Sequence, residues 1–352
     1  MYSHSVPTGL QIQNEIPLAP LTTFGIGGPA RYFAVADTET QVAEAVAWAE
    51  QRSLRLFILG GGSNLLVRDA GFDGLVLRIG VPGVESCGDG CFEVGAGEIW
   101  DQFVERVVGQ EMAGVECLAG IPGSVGGTPV QNVGAYGQEV AETIEWVRVF
   151  DRRSHAWVRL EKGACRFRYR QSLFNSDEPE RYIVTRVGFR LRPGGRPNLR
   201  YADLQRRLGG REDLSLASVA AVVREIRREK GMLLVEGDAD CRSAGSFFKN
   251  PAVSLDRLEA IAAAAGVQPG TVPGWPAGVG LIKVPAAWLL ERAGFVKGFG
   301  DGPAGISTRH TLALTNRGGA TCADIERLQG QIVDGVKERF GMTLEREPVL
   351  LG

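Results

Sequence analysis

Three arginines at alternate positions, Arg166, Arg168 and Arg170, punctuate the string Cys165-Arg166-Phe167-Arg168-Tyr169-Arg170. On an extended backbone, side chains two apart share a face, so the spacing predicts a row of guanidinium groups on one strand face. Such a row either solvates a half-buried strand or clamps a carboxylate through paired donors. A second string, Ser243-Ala244-Gly245-Ser246-Phe247-Phe248-Lys249-Asn250-Pro251, sets two aromatics among small and polar residues. It lacks the Gly-x-Ser-x-Gly of a nucleophile elbow, and only His4, His155 and His310 exist to serve a serine hydrolase. Near the C-terminus stand Glu345 and Glu347, with Pro348 favouring extended backbone at Glu347; an exposed tail acid is the plain reading. Lys230 falls on the apolar stripe of its own predicted helix, where it either completes the helix dipole or meets a phosphate.

Glycine offers the other chemistry. The chain has 48 glycines in 352 residues, about twice the usual frequency of roughly 7%. No Gly-Lys-Ser or Gly-Lys-Thr occurs, which excludes a Walker A phosphate loop. Gly25-Ile26-Gly27-Gly28-Pro29-Ala30 has dinucleotide spacing, but a strand-like stretch follows it where that motif needs a helix. Gly95-Ala96-Gly97-Glu98-Ile99-Trp100 has the right neighbours, yet Trp100 stands where close helix packing needs a small residue. Two dense runs remain, Gly60 to Asn64 and Ile121 to Gly137. Successive glycines either make tight turns or let backbone N–H groups converge into anion-binding nests, and two nests could grip a pyrophosphate from both sides.

The elements that must position these residues follow from periodicity. Strands are expected at Arg31 to Val35, Leu56 to Leu59, Leu65 to Val67, Leu75 to Ile79, Phe92 to Val94, Ile144 to Phe150 and Tyr182 to Leu191. Helices are expected at Thr40 to Arg52, Asp101 to Met112, from Ser215 or Ser218 to Gly231, Pro285 to Ala293, and from a Thr321 cap to Phe340. The stretch 193–197 reads as a linker. The chain is long enough for two or three domains. A net charge of -2 gives no basic field for nucleic acid. Six scattered cysteines, of which only Cys87 and Cys91 are close, read as buried or idle thiols without a metal. The loose N-terminal stretch has no basic start or apolar run, and no 18 apolar residues are consecutive, so a soluble cytoplasmic protein is expected.

The string "GGGSNLLV" followed by "IPGSVGG…QNVGAYG" resembles the FAD-binding region of the PCMH or vanillyl-alcohol oxidase superfamily, and the second part is similar to that of the UDP-N-acetylenolpyruvoylglucosamine reductases. The resemblance implies an α+β fold: a PCMH-type FAD-binding domain over 24–194, its two α/β subdomains split near 75, a C-terminal α+β substrate domain over 198–342, and a terminal strand over 343–352 that returns to the active site. It implies noncovalent FAD, since neither glycine run holds a histidine, and NADPH as reductant. Gly60, Gly61, Gly62, Ser63, Asn64, Gly123, Ser124, Gly126, Gly127, Asn132 and Gly134 would hold the cofactor. "RYRQSLF", "AGSFFKNP" and "LEREPVLLG" place the active-site arginine at Arg170, the proton donor at Ser246 and the catalytic glutamate at Glu347. Tyr136, Tyr201, Arg227, Lys230, Asn250, Lys283 and His310 would contact substrate. Asn175 stands where the family commonly carries lysine, and Trp275 where the longer family form has a gripping tyrosine. The partners so implied are small molecules, with neither nucleic acid nor membrane, and a monomer is expected. A carbohydrate oxidase of the same flavin fold and a nonenzymatic nucleotide-binding module are the rival readings.

Overall fold

The computed structural model describes residues 9–211 and 213–352; His4 and the first eight residues of the expected loose N-terminus lie outside them, while Gln13–Pro17 of that stretch is a strand and not loose chain. The chain forms two compact units. The first contains Ala30–Gly62 and Phe72–Arg228, the second Pro17–Pro29, Ser63–Gly71 and Glu229–Gly352. Both mix helices and strands, an α+β fold.

In the first unit, four strands lie in the spatial order Gln13–Pro17, Pro29–Ala36, Phe72–Ile79 and Arg55–Leu59. Phe72–Ile79 runs parallel to both Pro29–Ala36 and Arg55–Leu59. The expected split near 75 is thereby corrected, because Leu75 to Ile79 opens no second subdomain but sits in the middle of the first sheet. A strand covered on both faces reads as an unbroken apolar run, and such a run carries no mark of its partner. Helix α1, Glu39–Gln51, starts at Thr38, whose side chain accepts from Gln41 in a reciprocal cap. It buries Val42, Ala45, Val46 and Ala49.

A five-stranded sheet follows in the order Ala156–Glu161, Ile144–Asp151, Tyr182–Arg190, Cys91–Gly95, Val84–Gly88, antiparallel throughout. Helix α2, Trp100–Gly109, covers it with Trp100, Phe103, Val104, Val107 and Val108. Because Cys91–Gly95 is antiparallel to both neighbours, the Gly95 to Trp100 turn belongs to no parallel βαβ unit, and a dinucleotide motif is excluded there.

The 193–197 stretch does not end the unit. Arg192–Pro193 pairs with Met112–Ala113, and helices α3, Ala202–Leu208, and α4, Leu216–Glu229, bury Leu204, Leu208, Val219 and Ile226 in the same core as Trp100. Ser215 Oγ accepts the Ser218 N–H, which fixes the start of α4. The first unit therefore reaches Arg228, where the sequence suggested 194, and the second starts at Glu229, where it suggested 198.

The second unit holds α5 (Leu255–Ala265), α6 (Ala286–Arg292) and α7 (Cys322–Phe340). Thr321 and Asp324 cap α7 reciprocally, and Gly341 at φ 62° ends it. Leu65–Val67, read from sequence as part of the first α/β unit, pairs in parallel with Val349–Leu351 of the second. Phe24, Ile26 and Leu66 share a core with Phe247, Phe248 and Ile332. Among the described residues no helix is long and apolar enough to cross a membrane.

Candidate active site

The first unit brings the two glycine runs into backbone contact. A Cβ on Gly61 would lie 2.5 Å from Gly123 Cα and 2.8 Å from Ser124 N, and one on Gly60 would lie 2.9 Å from Ser124 Oγ. Only glycine allows that approach. Among the described residues the buried Ser124 Oγ has no hydrogen-bond partner, and the backbone bonds of the turn use none of the N–H groups of Gly61, Gly62 or Ser124. Buried polar groups are normally satisfied, so an unfilled acceptor or donor beside a glycine cradle fits an anionic ligand.

Other residues of the expected cofactor set do different work. Gly126 donates to Ala96 O at 2.9 Å and Gly127 to Ser124 O at 3.0 Å, so their N–H groups close the turn and offer nothing to a ligand. Gly126 is small for packing, since its Cβ would fall 2.5 Å from Ala96 Cβ. Asn132, at φ 44°, donates to Glu139 Oε2 (2.8 Å) and Arg168 O (3.1 Å) and accepts from Ala141 N–H (3.1 Å). Its amide is engaged on both sides with protein, which makes it a brace of the loop.

The arginine row is not a strand. Arg166 and Arg170 have φ 49° and 57°, which breaks the alternation the sequence suggested. Arg168 (2.7 Å) and Arg166 (3.5 Å) both pair with Asp177. Arg170 departs from them: its Nη1 would lie 3.4 Å from a Cβ on Gly134, placing the guanidinium at the hairpin that carries Tyr136. Asn175 holds this turn, accepting from Ser172 N–H at 2.8 Å and donating to Arg170 O at 3.1 Å.

Tyr136, 8% exposed, packs edge-on to Tyr201 with ring centroids 5.2 Å apart. Behind it Arg227, also 8% exposed, hydrogen-bonds the Tyr136 hydroxyl and donates from Nε to Gly120 O at 2.9 Å. Burial pulls the Arg227 pKa below its ordinary value. Glu116, fully buried, accepts from Gly114 N–H (2.7 Å), Gln138 Nε2 (3.0 Å) and Asn198 N–H (2.9 Å), and so braces the same hairpin. This bracing role of Glu116 and Gln138 leaves no mark in the sequence, because nothing in their spacing joins them.

In the second unit the Ser246 string and the C-terminal segment form a short ladder. Phe247 N–H donates to Leu312 O (2.8 Å), Glu347 N–H to Phe247 O (2.9 Å) and Lys249 N–H to Glu345 O (2.9 Å). Asn64 Nδ2 donates to Glu347 O (3.4 Å), and Val349 N–H donates to Asn64 O (3.0 Å). Glu345 is exposed and ion-paired with Lys249, whereas Glu347 is half-buried. Asn250 Oδ1 accepts from Ala286 N–H (2.9 Å) and so caps α6. Lys283 is the register partner of Trp275, a residue 43% exposed.

Lys230 is not on a helical stripe, because α4 stops at Glu229 and Gly231 turns at φ 64°. His310 Nδ1 accepts the Leu312 N–H at 3.1 Å, which puts the ring proton on Nε2. Burial, with Lys230 and Lys297 nearby, pushes its pKa down to about 4.

Residues 30–158 match the FAD binding domain family, and residues 237–351 match the C-terminal domain of UDP-N-acetylenolpyruvoylglucosamine reductase. A Streptomyces coelicolor protein called UDP-N-acetylenolpyruvoylglucosamine reductase is 48% identical over 353 residues, covering 97% of this chain and 91% of its own. A Thermobifida fusca protein of the same description is 46% identical, covering 96% and 97%. The chain belongs to the UDP-N-acetylenolpyruvoylglucosamine reductase family. The crystal structure of the Thermus caldophilus reductase matches with a TM-score of 0.66 at 26% identity, covering 97% of this chain and 100% of that one. Within the reductase family frame, the FAD-binding match contains both glycine runs, while Ser246, Asn250, Lys283, His310 and Glu347 fall in the C-terminal match. Arg170, Tyr201, Arg227 and Lys230 lie between the two. The Gly60–Gly61 cradle and the unsatisfied Ser124 hydroxyl suit the diphosphate of FAD.

Proposed function

We propose that the protein reduces UDP-N-acetyl-3-O-(1-carboxyvinyl)-glucosamine to UDP-N-acetylmuramate with NADPH and noncovalent FAD, as a cytoplasmic monomer serving peptidoglycan synthesis. The observation that carries this reading is 48% identity, over nearly the whole chain, to a protein called UDP-N-acetylenolpyruvoylglucosamine reductase, met in the chain by a glycine cradle with an unsatisfied hydroxyl. Bound flavin supplies hydride chemistry between the nicotinamide and the methylene carbon of the enol ether.

The chain's own residues do the remainder. Gly60, Gly61, Gly62, Ser63 and Ser124 hold the diphosphate, with Gly134 keeping space beside Arg170. Arg170 pairs with the substrate carboxylate, whose charge grows as the adjacent carbon gains carbanion character, and paired guanidinium donors match both oxygens. Ser246 gives its hydroxyl proton to that carbon and regains one from solvent, and Glu347, as a neutral carboxylic acid, donates a hydrogen bond to the enolate-like end. A serine hydroxyl is a weak acid, so its effect depends on placement, which the Phe247 bonds to Leu312 and Glu347 support. Tyr136, Tyr201, Lys230, Lys283 and His310 contact the nucleotide sugar, while Arg227 and Asn250 act from behind by holding Gly120 and Ala286.

Rapid-mixing absorbance tests the assignment. Ser246→Ala is expected to be reduced by NADPH at the wild-type rate and reoxidised by the enolpyruvyl sugar about 10²–10⁴-fold more slowly. Equal loss in both half-reactions overturns the role of Ser246, and wild-type enzyme yielding no UDP-N-acetylmuramate overturns the function.

A further inference from the structure

Asp101, in the first turn of α2, reaches the main chain just ahead of the longer glycine run. Its Oδ1 accepts the Gly120 N–H at 2.6 Å. Arg224 of α4 holds the same carboxylate, Nη2 to Oδ1 at 2.7 Å and Nε to Oδ2 at 3.4 Å. One turn along α4, Arg227 Nε donates to the Gly120 carbonyl at 2.9 Å. Both polar groups of Gly120 are thus gripped, one by an acid and one by a base, at a φ of 73° that glycine adopts without strain. Trp100 adds two more bonds, from Nε1 to Leu118 O at 3.1 Å and from its main-chain N–H to Gly123 O at 3.0 Å. The segment 118–123 is therefore pinned at four points, immediately before Ser124.

That segment has little room. Gly61 already sits so close to Gly123 that a single added carbon would fall 2.5 Å from Gly123 Cα. A slide of a few tenths of an ångström either drives Gly123 into Gly61 or opens the cradle.

We propose that Asp101 is a positioning residue for the flavin: with Arg224 it sets the Gly120 peptide, and through it holds Gly123 and Ser124 at the spacing from Gly60 and Gly61 that receives the diphosphate. This rests on the flavin reading above. The Asp101 hydrogen bond carries the positioning, and the Arg224 pair keeps the carboxylate aimed. An asparagine retains the accepting oxygen, an alanine does not.

The test measures FAD affinity by flavin fluorescence on apoprotein of wild type, Asp101→Ala, Asp101→Asn and Arg224→Gln, together with the bound-flavin absorption spectrum and the apoprotein melting temperature. The expected dissociation constants rise about tenfold for Asp101→Ala and about threefold for Arg224→Gln, with Asp101→Asn near wild type. Spectral change should accompany the weakened binding. Wild-type affinity and spectrum in Asp101→Ala, whatever its melting temperature, overturn the proposal, as does Asp101→Asn binding as weakly as the alanine. Should Asp101→Ala fail to fold, Arg224→Gln decides, and wild-type affinity there overturns it. Wild-type apoprotein that takes up no FAD sinks the flavin reading itself and is seen before any variant is compared.

Discussion

The main-chain N–H of Glu347 donates to the carbonyl of Phe247 at 2.9 Å, so the terminal acid and the residue after Ser246 share one rung of a ladder. The resemblance sets Glu347 above Glu345, and the two glutamates stand in different surroundings. Glu345 faces outward, with 72% of its side chain exposed and Lys249 beside it. Glu347 is half-buried and held on its other side by Asn64. Glu345→Gln should leave turnover within about twofold, because an exposed ion pair is worth roughly 0–1 kcal/mol. Glu347→Gln should slow flavin reoxidation by the enolpyruvyl sugar about 100-fold or more, leaving NADPH oxidation intact. Single-turnover rates for the two variants check this, and equal effects would remove Glu347 from the reaction.

Gly61→Ala should damage the cofactor cradle more than the fold. Its new carbon meets main chain of Gly123 and Ser124, which cannot swing aside, and overpacking of this kind costs about 1–3 kcal/mol. Gly330, inside α7 with nothing within 4 Å of a Cβ, is the contrast. Gly330→Ala should raise stability by roughly 0.5–1 kcal/mol through helix propensity alone. Urea midpoints and bound-flavin content read both, and the forecast fails if Gly61→Ala keeps a full complement of FAD.

What the sequence revealed was local. The Thr321 cap of α7 was legible because its partner Asp324 lies in the next turn, and the glycine runs as tight turns because their residues are consecutive. Pairings over distance were not. Leu65–Val67 joins Val349–Leu351, and Phe72–Ile79 lies between two parallel strands, yet apolar runs record burial and no partner. The arginine row misled because alternation assumes extended backbone, which Arg166 and Arg170 abandon at positive φ. The grip of Asp101 and Arg227 on Gly120 was hidden for a further reason: its three members come from separate segments and show nothing together until the chain is folded.

The thiols should divide sharply toward a disulfide reagent. Cys87 is exposed, and Cys91 is partly covered with its pKa raised chiefly by burial. Burial pushes Cys165 and Cys322 up to about 12, and Cys117 higher still. Since thiolate is the reactive form, one fast equivalent from Cys87 and a slower one from Cys91 are expected in native protein at pH 8, with the other four released only by denaturant. Fast titration of four or more native thiols would contradict the packing.

His310 predicts a pH dependence of stability with a definite sign. Its folded pKa is about 4, against 6.5 for the ordinary imidazole, because burial and then the charges of Lys230 and Lys297 disfavour the cation. Between those values the unfolded chain binds a proton that the native chain does not, so stability rises with pH across that window. The contribution is complete above about pH 6.5, shrinks as pH falls, and is lost below about pH 4, amounting to roughly 3 kcal/mol at most. Asparagine at this position keeps an acceptor for the Leu312 N–H and removes the titration. Urea midpoints of wild type and His310→Asn, taken from pH 7 to pH 4, should therefore converge or cross as acid weakens only the wild type by this route; carboxylates common to both cancel in the difference. Parallel curves over that range would show that the imidazole takes up its proton in the folded protein at its ordinary pH.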